Sequence, residues 1–164
     1  MVTIEKITPK HIDGFRHAVD VVAREHKYLT FLEAPPLKAM RAFVLNNIKT
    51  GNPQFVAIAE GNVIGWCDIL RSEWPAHAHR GTLGMGLLPS FRSRGIGTSL
   101  ISTTLDEARH KGLERVELTV HADNEPAIRL YNKVGFQKEG LMRDAVCIDG
   151  RYVDSILMAL VRRK

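Results

Sequence analysis

The chain of 164 residues has the length of one domain, and its 45% hydrophobic and 25% charged content is ordinary for a soluble globular protein. No apolar run reaches the roughly 18 residues of a membrane span, and Met1-Val2-Thr3-Ile4-Glu5-Lys6 lacks the apolar core of a signal peptide, so a cytoplasmic location is expected. The net charge of +5 is spread along the chain, with one short basic run at Arg162-Arg163-Lys164 and no zinc spacing or aromatic-interleaved patch, which argues against nucleic acid and suits a small, highly anionic ligand.

In chain order, Val2 to Ile7 reads as a short strand. Thr8 followed by Pro9 is a helix start, and Ile12, Phe15, Val19 and Val22 give that helix one apolar face. The segment from Lys27 to Pro35 is apolar and aromatic without a period, which predicts a loop. A second helix is expected from about Pro36 to Lys49, with Leu37, Met40, Val44 and Ile48 inward, stopped by Gly51-Asn52-Pro53. Phe55 to Ala59 and Val63 to Ile69 flank Glu60-Gly61-Asn62, a tight hairpin signal. Trp74 to His77 reads as loop, and a strand is expected from near Ala78 to Leu88, with Gly84 and Gly86 marking a bulge or a close approach to the backbone. A helix from Ile96 closes at Lys111-Gly112. Val116 to Val120 is a strand, Asn124-Glu125-Pro126 opens a helix ending at Gly135, and two strands follow around the turn Asp149-Gly150. The pattern is one mixed α/β domain over residues 1–164. Cys67 and Cys147, far apart in strand-like runs, read as buried reduced thiols, and no metal site is expected.

The most informative stretch is Leu83 to Leu100. The apolar run ends at Leu88, Pro89 cannot continue a ladder, and Ile96, Leu100, Ile101, Leu105 and Ala108 recur at helical spacing. Between strand and helix lies a loop holding Arg92, Ser93, Arg94, Gly95 and Gly97. The first N–H groups of a helix lack intrahelical partners and carry the positive end of its dipole, so such a loop can cradle a pyrophosphate. It is not a P-loop, because Gly97 is followed by Thr98-Ser99 rather than Lys-Ser/Thr, and it is not a three-glycine dinucleotide fingerprint.

Arg92, Gly95 and Gly97 do fill the pattern Arg/Gln-x-x-Gly-x-Gly/Ala. The chain here resembles the acetyl-CoA signature of the GNAT superfamily of N-acetyltransferases. Asn124, Ala127, Tyr131, Gly135 and Phe136 reproduce a second GNAT signature, in the right order and separated from the first by a strand. The resemblance implies a GNAT fold, a mixed sheet of six to seven strands flanked by about four helices, with strands splayed at the cofactor cleft. It implies that the backbone of Leu87 and Leu88 pairs with the pantetheine arm, and that residues 92 to 98, among them Ile96 and Thr98, hold the pyrophosphate. Asn124 and Ala127 join that site, and Tyr131 protonates the departing thiolate of acetyl-CoA. A pure CoA-binding sensor would not need that proton donor.

The base is not specified by the residues. Some family members carry a glutamate in the strand leading to the cofactor loop, but Ala78 to Leu88 contains no carboxylate. His79 is the titratable candidate there, with Asp68, Glu33 or a water-mediated path as alternatives. At pH about 7.4 roughly a quarter of an α-amine is neutral, against about a thousandth of a lysine side chain. A site without a strong base therefore favours a free amino acid or similar small amine, or a protein N-terminus, over lysine. The run Ile148 to Asp154 also resembles the end of amino-acid and phosphinothricin-type acetyltransferases. The acceptor is expected among Phe31, Glu33, Trp66 and Asp68, whose aromatics could equally be core, and a homodimer is expected by family habit.

Overall fold

The alternating apolar runs pair into one sheet of seven strands in the order β1-β2-β3-β4-β5-β7-β6. Residues 1–163 are described by a computed structural model; Lys164, the last of the closing basic run, lies outside the described residues. The strands are β1 (Val2–Lys6), β2 (Gln54–Ala59), β3 (Asn62–Arg71), β4 (Arg80–Leu87), β5 (Arg115–His121), β6 (Gln137–Ile148) and β7 (Arg151–Val161). The helices are α1 (Ile12–Ala23), α2 (Leu37–Thr50), α3 (Ile96–His110) and α4 (Glu125–Val134).

Strand alternation divides the core between two faces. On β3, Cys67 and Ile69 join the cluster formed with Leu100 and Ile101 of α3 and Tyr131 of α4. Trp66 points the other way, into the cluster of Phe15 and Val19 from α1 with Met40 and Val44 from α2. β3 and β4 pair antiparallel from Gly65↔Leu87 to Arg71↔Gly81. β4 and β5 pair parallel only at Arg80↔Arg115, Gly81↔Val116 and Thr82↔Glu117. Beyond Thr82 the two strands diverge, while β5 continues its ladder with β7 through His121↔Ser155.

Local signals place the turns. Glu60 (φ 51°) and Gly61 (φ 78°) join β2 to β3 in the double left-handed conformation of a two-residue hairpin, and Asp149 (φ 52°) and Gly150 (φ 77°) repeat it between β6 and β7. Several boundaries differ from the sequence reading. Pro9–His11 forms a 3-10 turn ahead of α1, closed by the His11 N–H donating to the Thr8 carbonyl at 2.9 Å. β4 begins at Arg80, after a 3-10 turn at Pro75–His77, so Ala78 and His79 precede it. Leu37 and Ile48 of α2 are exposed, and Asn47 is buried in their stead. Its side chain has partners inside: Asn47 Nδ2 donates to Gln54 Oε1 at 2.9 Å and Asn52 Nδ2 donates to Asn47 Oδ1 at 3.1 Å. Cys67 is buried as expected, but Cys147 is exposed because β6 is the edge strand.

Gly86 explains one of the two strand glycines. A Cβ at Gly86 would lie 2.3 Å from the Trp66 indole, which rests on the bare backbone of β4 and packs edge-on to Phe15 at 5.9 Å. Gly86→Ala is expected to destabilise the fold by about 1–3 kcal/mol in urea titration, because the ring is walled in and cannot yield. Combining it with Trp66→Phe should recover part of that loss, the non-additivity reporting the contact.

Candidate active site

The divergence of β4 from β5 defines the site. The Leu88 N–H donates to the Ile64 carbonyl at 2.9 Å, so Leu88 is turned to β3. By strand alternation the backbone groups facing the gap belong to Met85 and Leu87. The Leu87 carbonyl already accepts from Arg92 Nε at 3.0 Å, which leaves the Leu87 N–H and the Met85 groups as an open ladder edge. An extended amide-bearing chain can complete that edge as a strand would.

At the end of this edge the chain turns into α3 through residues 92–95. The Arg92 N–H closes the preceding 3-10 turn on Pro89, and the next backbone donor with a backbone acceptor is Ser99, bonded to Gly95 at 3.2 Å. The N–H groups of Ser93, Arg94, Gly95, Ile96, Gly97 and Thr98 therefore have no backbone partner among the described residues. Ser93 (φ 64°) and Gly95 (φ 81°) are both left-handed, a curl that turns successive N–H groups to one side and forms an anion nest. Ser93, lacking glycine's freedom, is held there at a cost in strain. Gly97 serves another purpose: a Cβ there would sit 3.3 Å from Leu130, so its absence lets α4 approach α3.

Arg92 is not a free arm over the nest. Its NH1 and NH2 donate to Glu25 Oε1 and Oε2 at 2.9 and 2.6 Å, and its guanidinium lies 4.9 Å from the Tyr28 ring centre. It ties the loop of residues 92–95 to the loop following α1. That loop is pinned elsewhere too: Asp20 Oδ1 accepts from the Ala34 N–H at 2.9 Å, and Arg16 Nε donates to the Pro35 carbonyl at 2.8 Å. His121 Nδ1 lies 2.7 Å from the Lys27 carbonyl at the far end of β5, and His26 Nδ1 lies 3.0 Å from Asp149 Oδ2 in the β6–β7 turn. The loop thus bridges the open end of the gap, from the nest to β5.

On the α3–α4 face, Asn124 caps α4, its Oδ1 accepting from the Ala127 N–H at 3.3 Å. Ala127 packs against the core, and Tyr131 is buried with its ring 5.8 Å from Phe136. Burial, with the Cys67 thiol as a second cause, pushes the Tyr131 phenol above its ordinary value, which keeps it protonated. On the opposite face, Trp66 is core rather than pocket wall. Asp68 is buried beside it, and burial alone pushes its carboxyl up to about 7.

The remaining candidates are dispersed. His79 is exposed at the closed end of the β4–β5 pair, where its carbonyl accepts from the Glu114 and Arg115 N–H groups at 2.8 and 3.0 Å. Strand order therefore separates it from the nest by the whole of β4. Phe31 and Glu33 lie exposed on the bridging loop, Glu33 paired with Arg24 at 3.3 Å. Sequence reasoning missed Glu25, His121 and the Asn47–Gln54 pair. Glu25 and His121 meet their partners across tens of residues, and the Asn47–Gln54 pair joins a helix to the strand that follows it, so no helical or strand period signals any of them.

Comparison with known proteins agrees with this geometry. The sequence model of the acetyltransferase (GNAT) family matches residues 21–136. The L-amino acid N-acetyltransferase AaaT of Escherichia coli K12 is 32% identical over 115 residues, covering 70% of this chain and 71% of that protein. The structure of yncA from Salmonella typhimurium with its cofactor acetyl-CoA matches with a TM-score of 0.93 at 19% identity, over 99% of this chain and 95% of that one. A phosphinothricin acetyltransferase from Sinorhizobium meliloti, in complex with AcCoA, matches with a TM-score of 0.92 at 20% identity, over 98% and 88% of the two chains. The chain belongs to the GNAT acetyltransferase family and is an enzyme of the N-acetyltransferase class. The nest and the open β4 edge fit the acetyl-CoA that such homologues bind.

Arg92→Ala is expected to lower unfolding stability by about 1–3 kcal/mol, since its two bonds to Glu25 and its bond to the Leu87 carbonyl are lost and the Glu25 carboxylate is left half-buried. Glu25→Ala should cost a similar amount, and the double variant little more than either, measured by urea titration. An Arg92 that served phosphate alone would change cofactor affinity and leave stability untouched.

Proposed function

We propose that this enzyme moves the acetyl group of acetyl-CoA onto the α-amine of a small, amino-acid-like acceptor. The observation that carries the reading is the gap beyond Thr82, with six unpartnered N–H groups at its end and Tyr131 on one face. Acetyl-CoA supplies an acyl group activated as a thioester. The N–H groups of residues 93–98, backed by the positive end of the α3 dipole, would hold its diphosphate, and the Met85 and Leu87 edge would align its amide-bearing arm. Tyr131, kept protonated by burial, would deliver a proton to the departing sulfur as negative charge develops there. Cys67 is no rival as an acyl carrier: it is fully buried, and burial pushes its thiol well above the usual range.

Three things support the α-amine. An α-amine is already partly neutral near pH 7.4, which suits a site whose β4 strand carries no carboxylate. The AaaT relative is an L-amino acid N-acetyltransferase, and the Sinorhizobium neighbour is a phosphinothricin acetyltransferase. The bridging loop, with Phe31 and Glu33, would close over a small molecule and leave little room for a folded protein's lysine. Two free cysteines accord with a reducing, cytoplasmic setting.

Release of the CoA thiol, followed with free L-amino acids, phosphinothricin, N-terminal peptides and internal-lysine peptides, tests this. Turnover on a small α-amine should exceed that on an internal-lysine peptide by at least about tenfold in kcat/KM, and comparable lysine turnover would overturn the acceptor class. Tyr131→Phe should lower kcat by about 10²-fold with acetyl-CoA affinity unchanged.

A further inference from the structure

Asp68 is a buried carboxylate at the gap that the reaction as described leaves without a task. On β3 it pairs with Gly84, the residue of β4 two beyond the last β4–β5 contact. Its side chain shares the α1–α2 face with Trp66, opposite the face of Tyr131. Its two oxygens have different surroundings. Oδ2 faces Gln54 Nε2 at a long 3.5 Å, and Gln54 is itself held by Asn47, whose amide is held by Asn52. Oδ1 points at Gly84: a Cβ on that glycine would lie 3.5 Å from it. Gly84 and its neighbour Thr82 are exposed, so the bare backbone leaves the carboxylate a window onto the surface beside the gap.

We propose that Asp68 is the proton acceptor for the substrate amine, reached through the window that Gly84 leaves in β4. The inference rests on the reading of this cleft as the place where an amine meets the acyl donor. It answers the lack of a carboxylate on β4 by taking one from the adjacent strand, opposite Gly84 and two residues beyond Thr82.

The geometry dictates the proton path. An N–H bond of the acceptor ammonium breaks, an O–H bond forms at Asp68 Oδ1, and the lone pair stays on nitrogen for attack. A second N–H proton is lost as the amide forms and restores Tyr131, which has protonated the leaving sulfur. Amide, free thiol and one proton released from Asp68 to solvent balance the ammonium and thioester consumed. The chain Asn52–Asn47–Gln54 fixes Oδ2 and so aims Oδ1. Around Asp68 the facing groups are the neutral amide of Gln54 from β2 and the bare Gly84 from β4, on the sheet face that carries the apolar cluster of α1 and α2 around Trp66. The Cys67 thiol, adjacent in sequence, lies on the other face. No charged neighbour contributes to the Asp68 shift, so burial alone governs it, and the carboxyl changes state near neutral pH.

The sign follows. With a folded-state value raised to about 7, the native protein holds a proton that the unfolded chain has lost, so stability from this group falls as pH rises from the ordinary aspartate range to about 7. The free protein reports this without turnover: the urea midpoint of the wild type should fall over that range relative to Asp68→Asn, whose curve should be flatter. Superimposable curves would overturn a titrating buried Asp68. In turnover, Asp68→Asn should lower kcat by about 10²–10³-fold and remove an acid limb centred near pH 7, with acetyl-CoA affinity unchanged by calorimetry. A variant that keeps the wild-type rate and acid limb would overturn the proposal.

Gly84→Val provides a second route should Asp68→Asn fold poorly. It keeps the carboxylate but closes the window, and should lower kcat/KM for the amine at least about tenfold and move the acid limb to higher pH. An unchanged limb and rate in Gly84→Val would also overturn it. Absence of turnover in the wild type on every amine would instead defeat the functional reading, and the stability curves would still decide whether Asp68 titrates.

Discussion

Two neighbouring strands that stop pairing after three residues set the terms for the rest of this molecule. β4 is fully laddered to β3 and β5 to β7, so each is stable on its outer side. Only their facing edges separate, at Thr82 and Glu117. Unpaired backbone groups in such a slot need partners, and an extended ligand bearing amides is one that supplies them in register. The slot points at the start of α3, where a run of unpartnered N–H groups continues the same chemistry from amide to anion. A single failure of pairing thus yields a site with a built-in direction, from strand edge to helix N-terminus.

Burial acts on the two faces of the slot with different chemical results. Removing water disfavours the charged form and so raises the pKa of any group that ionises to an anion. For Tyr131 this keeps the phenol protonated across the physiological range; for Asp68 it brings a carboxyl to where it exchanges protons near neutrality. Environments that set two titratable groups to different tasks are how one fold supplies both an acid and a base. The sheet itself keeps the two apart, since alternate residues of β3 face opposite sides.

The loop between α1 and α2 completes the enclosure. Asp20 and Arg16 of α1, Arg92 of the loop before α3 and His121 of β5 all hold it, so a segment without regular structure is nonetheless placed. Arg92 joins that loop to the nest, and its guanidinium fork suits this bidentate, stacked role better than a lysine would.

The sequence by itself determined what depends on near neighbours: the hairpin turns, the glycine-ended helices, the nest-forming loop with Gly95, and the Asn124 to Phe136 helix with its tyrosine. These features repeat at short fixed spacings because backbone sterics and helical period act over a few residues. Only the tertiary structure decided which face a residue takes and whom it meets. It buried Asn47 in place of Ile48 because a glutamine at the start of the following strand gives the amide a partner. It gave Gly86 to Trp66 and Gly84 to Asp68, left Cys147 exposed on an edge strand, and set His79 at the closed end of β4. Hydrogen bonds and contacts between separate elements have no local period to betray them, and it is these that set the buried tyrosine, the buried carboxylate and the bridging loop around one gap.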